Sequence, residues 1–110
     1  MMNLTVDVQE NEGKSVVLLA GEIDAYTAPK LKETLLSLTE KEGNKVEINL
    51  EQVNYMDSTG LGVFVSGLKS TKENNSELKL VQLQDRVYRL FEITGLIDVI
   101  DVDKTVQGGY

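Results

Sequence analysis

Two hydrophobic periods alternate along this chain, and that alternation restricts its fold more than any other property of the sequence. Stretches of period two are separated by stretches of period 3.6, so strands and helices must take turns. Leu4-Thr5-Val6-Asp7-Val8-Gln9 alternates apolar with polar, Asn11-Glu12-Gly13 supplies turn residues, and Val16-Val17-Leu18-Leu19-Ala20 is an apolar run. The pattern predicts a hairpin. Gly21-Glu22-Ile23-Asp24 closes its second strand, and Thr27 before Ala28 and Pro29 reads as an N-cap with proline in the first turn, where a missing N–H costs nothing. Leu31, Leu35 and Leu38 then recur at helical spacing until Gly43 stops the helix.

Positions 45–50 alternate again, with Val46, Ile48 and Leu50 on one face. After Asn54-Tyr55-Met56-Asp57 a second helical pattern begins at Ser58, puts Leu61, Phe64, Val65 and Leu68 on one stripe, and dissolves at 72–76. Residues 78–83 predict a further strand. Asp85 caps a third helix whose Val87, Leu90, Phe91 and Thr94 share a face, with Gly95 as its stop. A last alternating piece at 97–102 leads into a polar tail at 103–110, predicted to fray.

The resulting order, β-β-α-β-α-β-α-β, calls for an α/β domain with a mixed, mainly parallel sheet, an N-terminal hairpin and packed helices. One domain over 1–110, with its core at about 4–102, fits a length near that of typical compact domains. In such sheets function gathers on loops beyond the carboxyl ends of strands, where helix N-termini also point. The segment 51–58 is predicted to be such a loop.

Charge and composition remove whole classes of chemistry. Eighteen acids against eleven bases leave a net charge of −7, and the bases are interleaved with acids rather than gathered into a stripe. Nucleic acid and anionic membranes are therefore poor partners. There is no cysteine, hence no disulfide, thiolate nucleophile or zinc site of the usual kind, and no histidine to act as a base near neutral pH. No cofactor or metal is expected. The N-terminus lacks a basic start and an apolar h-region, and the longest nearly apolar stretch, 60–68, falls short of the roughly 18 residues that cross a bilayer. A cytoplasmic protein is expected.

The least ordinary segment is Asn54-Tyr55-Met56-Asp57-Ser58-Thr59-Gly60-Leu61-Gly62-Val63-Phe64-Val65. Its simplest reading is a helix start, with Asp57 or Ser58 as N-cap and the two glycines letting the first turn pack against the sheet. A hydroxyl at such a start is also surrounded by unpaired backbone N–H groups and a positive dipole end, which suit a phosphate. Ser58 is a candidate phosphoacceptor. A hydrolase elbow is excluded because Met56 stands where its first glycine belongs and no histidine follows. A dinucleotide fingerprint fails too, since Gly60-Leu61-Gly62 lies inside the helix pattern and Val65 replaces the third glycine. Glu22 and Asp24 read as exposed loop acids rather than a catalytic carboxylate pair.

Three segments carry a family resemblance: Leu19-Ala20-Gly21-Glu22-Ile23-Asp24-Ala25-Tyr26-Thr27-Ala28-Pro29, then Tyr55-Met56-Asp57-Ser58-Thr59-Gly60-Leu61-Gly62, then Arg89-Leu90-Phe91-Glu92-Ile93-Thr94-Gly95-Leu96. Together they resemble the anti-sigma factor antagonists of the STAS superfamily, closely those of the general stress response in Bacillus-like bacteria. The resemblance implies a non-enzymatic partner switch. The serine after the motif's aspartate, here Ser58, is then phosphorylated by the anti-sigma factor, a serine kinase. The unmodified antagonist binds that kinase and frees the sigma factor, while the phosphorylated form lets go until a PP2C-type phosphatase removes the phosphate. Partner contacts are expected at Asp24, Tyr26, Met56, Asp57, Ser58, Thr59 and Leu61. The alternatives are a STAS scaffold subunit of a larger signalling assembly and a nucleotide-binding enzyme.

Overall fold

A computed structural model describes residues 3–104. The hairpin forms from β1 (Leu4–Asn11) and β2 (Lys14–Ile23), antiparallel with Asn11 opposite Lys14, so Glu12 and Gly13 are its two-residue turn. Next come α1 (Ala28–Thr39), β3 (Lys45–Met56), α2 (Ser58–Asn74), β4 (Glu77–Leu83), α3 (Asp85–Ile93), a single 3₁₀ turn (Leu96–Asp98) and β5 (Asp101–Lys104). The sheet runs β1-β2-β3-β4-β5, and every pair after the hairpin is parallel. The predicted mixed, mainly parallel α/β sheet is present.

One face of this sheet is buried and the other is not. Val17 and Leu19 of β2, Val46, Ile48 and Leu50 of β3, and Leu78 and Leu80 of β4 join Leu31, Leu35, Phe64, Val87 and Phe91 of the helices in one core. The alternating residues Val16, Leu18, Glu47, Asn49, Lys79 and Val81 are half-buried or exposed, as period two demands of a sheet covered on one side. Phe64 and Phe91 meet with ring centroids 6.0 Å apart at a tilt of 54°, a favourable aromatic geometry that ties α2 to α3. Lys79, on the open face, is held above its ordinary pKa by its hydrogen bond to Asp103 and by the surrounding acids. Among the described residues, no helix is long and apolar enough to cross a membrane.

Several local expectations are corrected. β3 does not end at Leu50 but continues to Met56 through the segment expected to be a loop. Its pairing with β2 slips between Leu18 and Ala20 and again between Gly21 and Glu22, each slip adding one residue to β3. Buried positions therefore fall at 46, 48, 50, 53 and 56, and the period-two signal is lost. Asn49 supports the first bulge by accepting the Glu51 N–H on its side-chain oxygen at 2.9 Å. Gly21 sits at the second slip with φ +123°, and a Cβ there would lie 2.3 Å from the Asn3 carbonyl oxygen. Only glycine fits that approach.

α1 ends at Thr39, ahead of Gly43, because Asn44 is buried and donates its side-chain N–H to the Leu38 carbonyl at 3.0 Å, satisfying an end of the helix. α3 is preceded by Gln84 rather than capped by Asp85, which is its first residue. Gln84 instead donates its side-chain amide to the Glu51 carbonyl at 2.7 Å, bracing the extension of β3. Thr94 is exposed and its hydroxyl donates to the Leu90 carbonyl at 2.6 Å. Residues 97–98 belong to the 3₁₀ turn, and the last strand starts at Asp101, so Asp103 and Lys104 of the expected polar tail lie in β5. Positions 105–110 lie outside the described residues.

Candidate functional site

With both extra residues in β3, the β2–β3 ladder continues to Ile23 and Met56, past the β3–β4 pairing, whose ladder ends at Asn49 and Val81. Each extended strand then turns directly into a helix. The first turn spans residues 24–27 ahead of α1, and the second is Asp57 ahead of α2. They are joined by the Asp57 N–H, which donates to the Ile23 carbonyl at 3.3 Å.

Asp57, not Ser58, is the N-cap of α2. Its backbone is extended, and its carboxylate Oδ1 accepts the N–H groups of Thr59 at 3.0 Å and Gly60 at 3.2 Å. Ser58 is thereby the first helical residue, exposed, with the positive end of a seventeen-residue helix behind it. Thr59 beside it is exposed as well. Gly60 faces inward, where an added Cβ would come within 2.7 Å of Met56 Cγ and 2.8 Å of Ile23 Cγ2. The absence of a side chain at 60 is what lets the helix start sit directly on the ends of β2 and β3.

Asp24 was expected to be an exposed acid and is 6% exposed. The reason is a closed local network. Its Oδ1 accepts the N–H groups of Tyr26 at 2.8 Å and Thr27 at 3.1 Å, while its own N–H donates to Thr27 Oγ1 at 2.9 Å. Thr27, expected to cap α1 with its hydroxyl, makes no such cap and donates it to the Glu22 carbonyl at 2.9 Å. Tyr26 stands at the tip of this rigid turn, 87% exposed. A tyrosine so presented offers a large amphipathic contact at small entropic cost.

The expected site residues therefore separate into two layers. Tyr26, Ser58 and Thr59 are on the surface, with Asp57 half-buried between them. Met56 and Leu61, at 4% and 8% exposed, are core residues beneath the helix start, and Asp24 shapes its turn from inside. Next to Thr59 a shallow groove of about 540 Å³ runs between α1 and α2, floored by Ala25, Ala28, Pro29, Gly62 and Val63. Sequence reasoning passed over that groove and read Thr27 only as a helix cap. The small residues that open the groove carry no hydrophobic signal, and a threonine before a helix signals a cap. Among the described residues no group of acids is arranged to hold a metal ion.

This fold, with an exposed serine at the start of the helix after a bulged central strand, defines a class. The chain belongs to the STAS domain family, whose model matches residues 5–109. Within it the chain is similar to the anti-sigma-B factor antagonist of Listeria monocytogenes, 52% identical over 108 residues that cover 97% of this chain and 94% of that one. To the anti-sigma-B factor antagonist of Bacillus subtilis it is 51% identical, with 98% of each chain covered. The crystal structure of an anti-sigma factor antagonist from Mycobacterium paratuberculosis superposes with a TM-score of 0.82 at 25% identity, covering 94% of this chain and 88% of that one. The Bacillus cell fate determinant SpoIIAA, solved in its phosphorylated form, shares the fold with a TM-score of 0.71 at 15% identity over 96% of this chain and 94% of that one. These relatives are named as regulators, and this chain is a regulatory, non-enzymatic member of the family.

Proposed function

We propose that this chain is an anti-sigma factor antagonist: unmodified, it binds an anti-sigma factor and releases the sigma factor, and phosphorylation of Ser58 ends that binding. The exposed Ser58 at the capped start of α2, beside the projecting Tyr26, is the observation that carries this reading. In support, the relatives more than 50% identical bear the name anti-sigma-B factor antagonist, and SpoIIAA, which shares the fold, is described in a phosphorylated form. The anti-sigma factor acts as the serine kinase, a PP2C-type phosphatase reverses the reaction, and the pathway is a cytoplasmic stress response.

The contact surface comprises Tyr26, Asp57, Ser58 and Thr59, held in place from beneath by Asp24, Met56 and Leu61. Its switching logic is electrostatic. A phosphate adds roughly −1.5 to −2 charge and three acceptor oxygens beside the Asp57 carboxylate. On the free protein water solvates that charge, whereas a docked partner must strip the water away and pair the dianion or lose affinity. The direct test is to incubate the protein with the anti-sigma kinase and ATP. One phosphate should be incorporated and mapped to Ser58, and incorporation elsewhere would contradict the assignment.

A further inference from the structure

The Tyr26 turn and the Ser58 helix start are linked by a run of hydrogen bonds that begins at a side chain outside the contact surface. Thr27 Oγ1 donates to the Glu22 carbonyl and accepts the Asp24 N–H, both at 2.9 Å. Ile23, between those two residues, is fully buried, and its carbonyl accepts the Asp57 N–H. Asp57 in turn caps Thr59 and Gly60. Glu22 and Ile23 are also registered against Tyr55 and Met56 in the β2–β3 ladder. The Thr27 hydroxyl makes no cap on α1, whose start is tied by backbone bonds from Ala28 to Asp24 at 2.8 Å and from Leu31 to Thr27 at 3.2 Å.

We infer that Thr27 is a positioning residue: its hydroxyl holds the Tyr26 turn and the Ser58 helix start in one fixed relation, so that a partner meets both at once. This rests on the proposed role of the Ser58 site in binding an anti-sigma factor, and it names what pre-organises that site. A turn already fixed in its bound shape spares the complex the entropy of ordering it. The hydroxyl is both the donor and the acceptor that pin residues 22 and 24.

The test uses the full, unmodified chain and two substitutions. Thr27→Val keeps the size and removes the hydroxyl, whereas Thr27→Ser keeps the hydroxyl and removes the methyl. Read without any partner, amide exchange at Asp24 and Asp57 should accelerate about tenfold in Thr27→Val and stay near wild type in Thr27→Ser, while amides of the Lys45–Asn49 ladder are unchanged in both. Against the anti-sigma factor, Kd should rise about tenfold for Thr27→Val and be restored by Thr27→Ser. Wild-type exchange at Asp57 or wild-type affinity in a folded Thr27→Val protein overturns the inference. Where Thr27→Val does not fold, Thr27→Ser decides: a loosened Asp57 amide there means that packing, not the hydroxyl, holds the turn, which also overturns it. Wild-type protein that binds no anti-sigma factor sinks the functional reading instead, and the exchange comparison still judges Thr27.

Discussion

The N–H of Asp57 donates to the carbonyl of Ile23 at 3.3 Å, and through this bond the turn that carries Ser58 is fixed to the turn that carries Tyr26. Ile23 ends β2 and Asp57 directly follows the end of β3, so the bond lies one step past the last pair of the β2–β3 ladder, Ile23 with Met56. Two surfaces that are some thirty positions apart in sequence are thereby joined through the backbone.

Ser58→Ala should accept no phosphate and bind the anti-sigma factor constitutively, while Ser58→Asp should bind poorly. Phosphorylation assays and a binding titration on each variant check both halves. A fully phosphorylated Ser58→Ala protein would remove Ser58 from the account.

Tyr26 and Asp24 should behave differently although both lie in one turn. Tyr26→Ala removes an exposed ring and should weaken partner binding by about 1–2 kcal/mol without changing the melting temperature. Asp24→Ala leaves two N–H groups without their acceptor and should cost about 1–3 kcal/mol of stability, a drop of several degrees in Tm. Because Asp24 is buried, lost binding on charge reversal there reports a broken turn as readily as a lost contact. Equal stability of Asp24→Ala and wild type would contradict the network.

Most of the architecture was legible because each buried face repeats with the period of its element: Val46, Ile48 and Leu50 mark the start of β3, and Leu31, Leu35 and Leu38 mark α1. Reading failed where the backbone departs from a regular period. The two slips in β3 move the buried residues to Val53 and Met56, so a strand resembles a polar loop. The site showed the same division. The place of Ser58 at a helix start was visible from the residues around it, while the burial of Asp24 and the redirected hydroxyl of Thr27 depend on hydrogen bonds that no spacing encodes.

The glycines of α2 give a paired prediction. At Gly60 a Cβ collides with Met56 and Ile23, so Gly60→Ala should destabilise the fold by about 1–3 kcal/mol and displace the Ser58 turn. A Cβ added at Gly62 would meet nothing within 4 Å, so Gly62→Ala should stabilise the helix by up to about 1 kcal/mol. Thermal unfolding of the two variants should move in opposite directions. If the groove beside Thr59 receives part of the partner, Gly62→Leu will bind worse despite an intact fold.

Asp57→Ala removes the side-chain cap of α2 and should cost about 1 kcal/mol, within the range of known caps. Asp57→Asn keeps an acceptor oxygen and should retain most of that stability. Denaturant midpoints for the three proteins would show the order wild type, Asn, Ala, and an Ala variant as stable as wild type would rule out the capping role.

In the proposed switch phosphate on Ser58 is the central event, and its effect should be local. The helix start favours the added charge by roughly 0.3–1 kcal/mol at an exposed site, which offsets repulsion from Asp57, so the isolated domain should change little in stability. Docking has no such compensation. The decisive measurement is a titration of the anti-sigma factor with unmodified and Ser58-phosphorylated protein side by side. The account predicts that phosphorylation raises Kd by about a hundredfold or more, equivalent to a few kcal/mol, in a protein that remains folded. Equal affinity of the two forms would contradict it.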